Sequence, residues 1–347
     1  MKRASVLFSA LAFSLSAFLI SSGLLEARGN SVEGSRILMG TTVNIKVPLV
    51  PGLDEDKARS AMDKAFAEIE RVESVFSVYR SKSEAFKINS LKASQKLAVS
   101  AEMFYLLERC VRYSELTDGA FDITVKPLVD LWNKCKNEGR APPQAELDAA
   151  VGKVGWRQVI LDKDKKTVSF RRNGMAVDFG GVAKGYASDR AARVLKMNGI
   201  NSAVIDCGGD VFCLGRSSKW HQWTVGIQHP REKGRLISEV PVEDEAVDTS
   251  GDYENYFILE GRRYSHIIDP RSGYPIGDET VSATVVAKDA ATADALATGL
   301  CVLGSAGMKI IDSDPGLGAI IIENTGSGLS VNLSKSLKEK VHAEEIK

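Results

Sequence analysis

The chain contains 347 residues, with 45 lysines and arginines against 45 aspartates and glutamates, 44% hydrophobic residues and 7% aromatic ones. This composition is that of a globular protein with a substantial core, which excludes wholesale disorder and a polytopic membrane protein. Zero net charge argues against a nucleic-acid partner, which would need a basic excess. Five cysteines without a C-x-x-C pair indicate neither a disulfide scaffold nor a zinc site.

The N-terminus has the pattern of a targeting segment. A positive start, Met1 to Arg3, precedes an uncharged, apolar and serine-rich stretch at residues 6–25. We interpret residues 1–27 as a secretory signal peptide, with an uncleaved membrane anchor as the alternative, because about 20 apolar residues can just span a bilayer. Either reading predicts that the body of the chain is exported, periplasmic or attached to the outer face of the inner membrane.

The remaining chain mixes predicted strands and helices. Alternation of apolar and polar residues predicts a strand at residues 37–48, and apolar residues at three- and four-residue steps predict a helix at 54–79 with Asp54 as its N-cap. Residues 136–144 read as a loop. Helices are also predicted at 101–116, 182–197 and 290–303. Short strands are predicted at 158–161, 167–171, 175–178, 203–207, near 212, and at 223–227, 256–259, 264–268, 281–287 and 319–322, with 256–259 and 264–268 forming a hairpin. Without strict strand–helix alternation, the predicted class is α+β.

A glycine-rich segment, residues 177–185, lies between a predicted strand and a predicted helix. Its glycines let the backbone approach a ligand, and the helix start offers N–H groups to an anion, with Lys184 adding a positive charge. Neither the P-loop nor the dinucleotide-binding spacing is present. An ordinary turn with a solvated lysine is the alternative.

Asp294 and Thr298 are four residues apart on a predicted helix and therefore share a face. A carboxylate and a hydroxyl are hard oxygen ligands, which suit Mg²⁺. A third ligand would have to come from elsewhere, for example a backbone carbonyl in a glycine-rich loop. The alternative is an ordinary helix face in which Thr298 bonds the carbonyl of residue 294.

His266 is one of four histidines and lies at the end of a predicted strand, just before an Asp-Pro turn. Few other side chains can accept a proton at neutral pH, so it is a candidate base, or else a histidine satisfied by its own turn. Residues 118–125 combine a helix stop with a predicted strand start, which brings Asp122 to an element edge where ligands bind. A structural turn, with Trp132 in the core, is the alternative there.

Taken together and in this order, these segments resemble the ApbE family, the FAD:protein FMN transferases. The resemblance spans about residues 39–304. It rests on M-G-T at 39–41, S-x-Y-R-x-x-S-E at 77–84, G-A-F-D-I-T-V at 119–125, D-x-G-G-x-A-K-G at 178–185, G-G-D at 208–210, T-S-G at 249–251, H-I-I-D-P-R at 266–271 and A-D-A-L-A-T at 293–298.

The resemblance implies two α/β lobes with mixed sheets flanking a central flavin-binding cleft, formed by residues 34–335 and followed by a charged tail at 336–347. It implies Mg²⁺-dependent transfer of FMN from FAD to a threonine or serine hydroxyl of an exported acceptor protein, with release of AMP. The implied acceptors are flavin-accepting subunits of respiratory electron-transfer complexes, of the Rnf or Na⁺-translocating NADH:quinone reductase type.

The resemblance also assigns roles to residues. His266 is implied as the base, and Asp294, Thr298 and the carbonyl of Gly181 as the Mg²⁺ ligands. The implied FAD contacts are Met39, Tyr79, Ala120, Phe121, Asp122, Asp178, Lys184 and Ile268. Two other functions use the same residues: an Mg²⁺-dependent FAD pyrophosphatase that gives FMN and AMP, and a non-catalytic flavin-binding carrier.

Overall fold

The computed structural model describes residues 30–341 apart from Glu254 and Glu260, so the predicted signal or anchor segment and the end of the predicted tail lie outside the described residues. The strands are β1 (Ser31–Leu38), β2 (Thr41–Pro48), β3 (Leu97–Ala98), β4 (Val159–Asp162), β5 (Thr167–Phe170), β6 (Ala203–Cys207), β7 (Val211–Leu214), β8 (Trp223–Gln228), β9 (Leu236–Val242), β10 (Glu245–Gly251), β11 (Tyr256–Leu259), β12 (Arg262–Ser265), β13 (Thr280–Ala287), β14 (Gly318–Asn324) and β15 (Leu329–Leu333). The helices are α1 (Glu55–Phe76), α2 (Glu84–Asn89), α3 (Ala101–Leu116), α4 (Lys126–Glu138), α5 (Gln144–Val151), α6 (Ala183–Met197), α7 (Ala290–Leu303), α8 (Met308–Asp312) and α9 (Lys335–Lys338).

An eight-stranded sheet with the order β1-β2-β6-β7-β10-β13-β14-β15 carries the fold. Each strand pair in the described part of the chain is antiparallel, which confirms the α+β class and replaces the expected mixed sheets with antiparallel ones. Tight turns join β1 to β2, β6 to β7 and β14 to β15, and a tight turn can only produce an antiparallel pair; longer connections join the other neighbouring strands of this sheet. At the first of these turns Met39 and Gly40 both have positive φ, as a two-residue hairpin loop requires.

Helices α1, α6 and α7 cover one face of this sheet, and their apolar side chains join those of the strands in the largest hydrophobic cluster. A second cluster, containing Val225 and Val240 of the β8–β9 pair together with Leu337, covers the opposite face. Helix α7 is mostly apolar and buried in the core, apart from polar residues such as Asp294 and Thr298. The segment Ala290–Asp312 that contains it has the length and composition of a membrane span, as core helices often do. A third cluster forms around Trp132 of α4.

Several predicted elements are confirmed and others change. Helices α3 and α7 have the predicted limits, and the Asp54 side chain accepts the Lys57 N–H at the start of α1. Residues 37–48 are the end of β1, a turn and β2, instead of one strand. Residues 175–178 are not a strand. Helix α4 extends to Glu138 and helix α5 begins at Gln144, so the loop is shorter than the predicted 136–144.

Two differences affect the candidate site. Residues 117–125 form turns that lead into α4, not a strand, because Asp118 and Gly119 adopt positive φ and Pro127 favours a helix start. Strand β12 ends at Ser265, so His266 follows the strand instead of lying on it. The first residues of the predicted tail are also part of the packed structure, since Leu337 and Val341 are buried.

Candidate functional site

Three buried carboxyl groups meet between α7 and the central sheet. Asp210 precedes β7, Asp248 lies on β10 and Asp294 lies on α7, and one carboxylate oxygen of each lies within 4.8 Å of the others. The pairing of Val247 with Val211 continues, one residue further along the strands, to Asp248 opposite Asp210. Strand register therefore brings two of the three together, and helix α7 supplies the third.

Lys184 provides a positive charge to this cluster. Its ammonium forms an ion pair with Asp210, whose side chain is fully buried. Although burial opposes the charged form, Asp210, Asp294 and Asp248 together raise the pKa of Lys184 well above its ordinary value. The lysine implied as an FAD contact is therefore engaged with a carboxylate of the protein.

Asp248 is the carboxyl group of the cluster whose pKa is most clearly shifted from its ordinary value. Burial raises its pKa well above the ordinary value, and the neighbouring Asp210 and Asp294 carboxylates raise it further, while Lys184 opposes them. Carboxyl oxygens from three elements of the fold are therefore gathered in one buried place, and as hard donors they fit a divalent cation.

Two glycines bring the predicted metal ligands together. The Gly185 N–H donates to Asp294 Oδ2 at 3.1 Å, and a Cβ at Gly185 would lie 2.2 Å from the Ala290 carbonyl oxygen, so only glycine lets α6 approach α7 this closely. At Gly181 a Cβ would lie 2.9 Å from Thr298 Oγ1. The three residues implied as Mg²⁺ ligands, Gly181, Asp294 and Thr298, therefore lie in one region.

His266 has the hydrogen bonding of a proton acceptor. Its Nδ1 lies 2.9 Å from the carbonyl oxygen of Asn255. A carbonyl can only accept, so this contact places the proton on Nδ1 and leaves a lone pair on Nε2. Desolvation lowers the pKa of His266, the Asn255 bond opposes this, and the charge of Lys184 lowers the pKa further. The imidazole is therefore neutral at pH 7 and close enough to Lys184 to sense its charge.

The loop that carries Ala120, Phe121 and Asp122 is held by its own hydrogen bonds. Asp122 Oδ1 accepts the N–H and the hydroxyl of Thr124, at 2.8 and 2.7 Å, and Oδ2 accepts the Trp156 N–H at 2.9 Å. Burial raises the pKa of Asp122, and these bonds oppose the shift. Ala120 and Phe121 are buried. Asp122 therefore shapes the loop with both of its oxygens in use.

Asp178 and Tyr79 lie at a second corner of this region. The Asp178 N–H donates to the Ile123 carbonyl at 2.8 Å, which joins the two loops, and its carboxylate accepts the Gly180 N–H at 2.8 Å. Burial raises the pKa of Asp178, against the Gly180 bond and the charge of Lys126. Lys126 Nζ lies 5.6 Å from the centre of the Tyr79 ring, which is 78% exposed and free to stack on a planar ligand.

Met39 and Ile268 are placed differently. The Met39 N–H donates to Glu73 at 3.0 Å, and the Thr41 side chain two residues later touches Gly208, near Asp210. Ile268 is 8% exposed and belongs to the cluster around Trp132, so its side chain is committed to packing. Trp132 is a core residue, as the structural alternative expected.

Sequence reasoning missed Asp210 and Asp248 as members of the site. Asp210 ends the G-G-D motif and Asp248 directly precedes the T-S-G motif, but neither residue was given a role. The available signal was the polar alternation of Asp248 and Ser250 on β10, whose side chains share one face of the strand.

Comparison with known proteins decides the family. Residues 39–321 match the model of the ApbE family. The chain is 35% identical over 320 residues to a FAD:protein FMN transferase of Vibrio cholerae, over 90% of this chain and 93% of that protein. The chain belongs to the ApbE family. It is also 31% identical over 301 residues to a FAD:protein FMN transferase of Escherichia coli, over 85% of this chain and 86% of that protein.

Solved structures give the same family. The crystal structure of the ApbE protein from Thermotoga maritima superposes with a TM-score of 0.81 and 32% sequence identity, over 91% of this chain and 100% of that one. A mutant of the flavin transferase ApbE from Vibrio cholerae superposes with a TM-score of 0.78 and 34% sequence identity, over 90% of this chain and 99% of that one. The resemblance found in the sequence is confirmed, and this ApbE-family chain is an enzyme, a transferase.

Proposed function

We propose that this ApbE-family enzyme transfers FMN from FAD to a threonine or serine hydroxyl of an exported acceptor protein, with Mg²⁺ and with release of AMP. One observation carries the proposal: Nδ1 of His266 is bonded to the Asn255 carbonyl, which leaves a lone pair on Nε2, and the pKa of His266 responds to Lys184, the partner of Asp210 in the carboxyl cluster, in a chain similar to FAD:protein FMN transferases.

His266 would act as the base. Its Nε2 takes the proton of the acceptor hydroxyl as the oxygen forms a bond to the FMN phosphorus. The bond from that phosphorus to the bridging oxygen breaks, and AMP leaves with the electron pair. Because the pKa of His266 is lowered, its neutral form is available at pH 7. A base in this position typically contributes about 10²–10⁴-fold to the rate.

Asp294, Thr298 and the Gly181 carbonyl would hold the Mg²⁺. When bound, the ion supplies charge neutralisation on the two phosphates of FAD. The glycine-rich loop and the start of α6 would hold the flavin-side phosphate through N–H groups other than those of Gly180 and Gly185, which already donate to Asp178 and Asp294. The exposed Tyr79 ring would stack on the bound coenzyme, and the loops joined by Asp178 and Asp122 would form the wall beside it.

The acceptors we propose are flavin-accepting subunits of Rnf or Na⁺-translocating NADH:quinone reductase type, and the site of action is outside the cytoplasm. The apolar, uncharged stretch at residues 6–25 supports export. N-terminal sequencing of protein purified from the cell envelope distinguishes a cleaved signal peptide, which removes residues 1–27, from a retained anchor.

The test of the function is an acceptor assay. The enzyme is incubated with FAD, Mg²⁺ and a purified acceptor domain, then denatured and separated by electrophoresis. We expect a fluorescent acceptor band, AMP in equal amount, and neither product when the acceptor hydroxyl is removed by threonine-to-valine substitution or when the metal is chelated. Free FMN without a labelled band would establish a pyrophosphatase, and unchanged FAD would establish a flavin carrier; either result contradicts the proposal.

A further inference from the structure

We propose that Arg231 is a positioning residue for His266, and that it acts through Asp252 and the backbone carbonyl of Asn255. Because His266 is the base only under the proposed function, the effect of Arg231 on transfer rests on that function. Arg231, Asp252 and Asn255 all lie outside the motifs that carried the family resemblance.

The carbonyl oxygen of Asn255 holds His266 by two hydrogen bonds. It accepts the backbone N–H of His266 at 2.9 Å and lies 2.9 Å from Nδ1 of the same residue. If this carbonyl moved away, the imidazole proton would distribute between Nδ1 and Nε2, and part of the molecules would lose the lone pair on Nε2. Asn255 and His266 are both exposed, so packing around them does not fix the carbonyl.

These two residues lie at the open end of the β11–β12 hairpin. Asn255 directly precedes β11, and His266 directly follows β12, beyond the last residue pair of the two strands. The hairpin is a separate two-stranded sheet, which is marginally stable by itself. Side chains of both strands join the cluster around Trp132. The open end needs an attachment of its own if His266 is to keep one orientation.

Asp252 provides this attachment. It is 3% exposed, directly follows β10, and donates its N–H to the Val281 carbonyl of β13 at 3.0 Å, so it is fixed to the central sheet. Its own carbonyl accepts a hydrogen bond from Arg263 of β12 at 2.9 Å. The Arg263 guanidinium also lies 3.9 Å from the centre of the Tyr256 ring on β11. Asp252 is therefore linked to both strands of the hairpin.

Arg231 neutralises the carboxylate of Asp252. Its two terminal nitrogens donate to the two carboxylate oxygens, each at 2.8 Å, and the Asp252 side chain is 4% exposed. Nδ1 of His229 accepts two backbone N–H groups of the loop that presents Arg231, at 3.2 and 2.9 Å. A buried carboxylate that loses one partner is strongly destabilised. Loss of Arg231 should therefore displace Asp252 and, three residues later, the carbonyl that holds His266.

The experiment measures the tautomer of His266 by nitrogen NMR of the flavin-free full chain with isotope-labelled histidine, at about pH 8, where the imidazole is neutral. The spectrum of His266→Asn assigns the signals. We expect the proton on Nδ1 in the wild type and a mixture of tautomers in Arg231→Met. The same variant should lower kcat for transfer about 10–100-fold, with KM for FAD unchanged, because a catalytic group misplaced by about 1 Å costs that much. Arg231→Lys keeps the charge and loses the bidentate geometry, so it should restore part of both readouts.

Arg71→Met is the matched control. Arg71 also forms a bidentate pair, with Glu102 at 2.7 Å in both bonds, but this pair joins α1 to α3. It should lower stability and leave the His266 tautomer and kcat unchanged. The double variant Arg231→Met/Asp252→Asn leaves no unpaired carboxylate at this position, so it removes the same bonds without burying a lone charge. It should show the mixture of tautomers and the lower kcat at equal folded protein.

A single tautomer with the proton on Nδ1 in both Arg231→Met and the double variant would overturn the inference. Wild-type kcat in both, or the same changes in Arg71→Met, would also overturn it. The proposed function fails separately. If His266→Asn transfers FMN at the wild-type rate, His266 is not the base, and the tautomer measurement still decides whether Arg231 orients it.

Discussion

Replacing Gly185 with alanine tests whether the close approach of α6 to α7 holds Asp294 in place. The new Cβ would lie 2.2 Å from the Ala290 carbonyl oxygen and 2.9 Å from the Ala291 nitrogen, both backbone atoms that cannot rotate away. An ordinary contact needs roughly 1 Å more, so the two helices must separate by about that distance. The 3.1 Å bond from the Gly185 N–H to Asp294 would then break.

The expected cost combines two effects. Overpacking a core costs about 1–3 kcal/mol, and losing a hydrogen bond to a carboxylate costs about 1.5–3 kcal/mol, so the free energy of unfolding should fall by about 2.5–6 kcal/mol. Urea unfolding followed by circular dichroism measures this loss. At equal folded protein, the transfer assay should need a higher Mg²⁺ concentration to reach half of its maximal rate. Gly152→Ala is the control, because a Cβ there meets its nearest atom at an ordinary 3.4 Å. Equal stability of the two variants would refute the close-packing argument.

Three further predictions concern the base, the ligand loop and the thiols. His266→Asn should lower transfer about 10²–10⁴-fold with FAD affinity unchanged; in the wild type, transfer should fall as pH drops through the lowered pKa of His266 and level off above about pH 6.5, a limb that the variant should lack. Asp122→Ala strands the donors of Thr124 and Trp156, so urea unfolding should show a loss of about 2–4 kcal/mol, whereas unchanged stability would mean that these bonds contribute little. All five cysteines, each within the described residues, are buried and outside disulfide bonds, and burial raises the pKa of Cys207 to about 12; a thiol reagent at pH 8 should label them only after denaturation, and rapid labelling of the native protein would contradict their burial.

The helices of the fold were predictable because their ends have local causes. Ser100 accepts the Met103 N–H at the start of α3, and Asp289 accepts the Thr292 N–H at the start of α7, so capping and periodicity agree. Strand β10 was missed for a different reason. It lies inside the central sheet and yet carries Asp248 and Ser250, polar residues whose place in the core no hydrophobic pattern indicates.

The candidate site divides in the same way. The shared face of Asp294 and Thr298 follows from helix periodicity alone, and the structure places Gly181 beside Thr298. That these residues bind Mg²⁺ stays a prediction. The partner of Lys184 could not be predicted, because Asp210 reaches it only through the folding of β6 and β7 against α6. The assignment of Lys184 to FAD phosphates therefore competes with an ion pair that only tertiary structure shows.

The two periodicities also explain why the site lies between β10 and α7. Residues four apart on a helix rise about 6 Å, and residues two apart on a strand rise about 6.7 Å, so a helix and a strand running side by side keep two such pairs opposite each other. Asp248 and Asp294 form one such level of contact, and Ser250 and Thr298, with hydroxyls 3.5 Å apart, form the next. A shift of β10 by one residue would turn both of its polar side chains to the other face of the sheet. The pairing of β10 with β7 and β13 fixes that register, so strand pairing in the sheet determines which oxygens face α7.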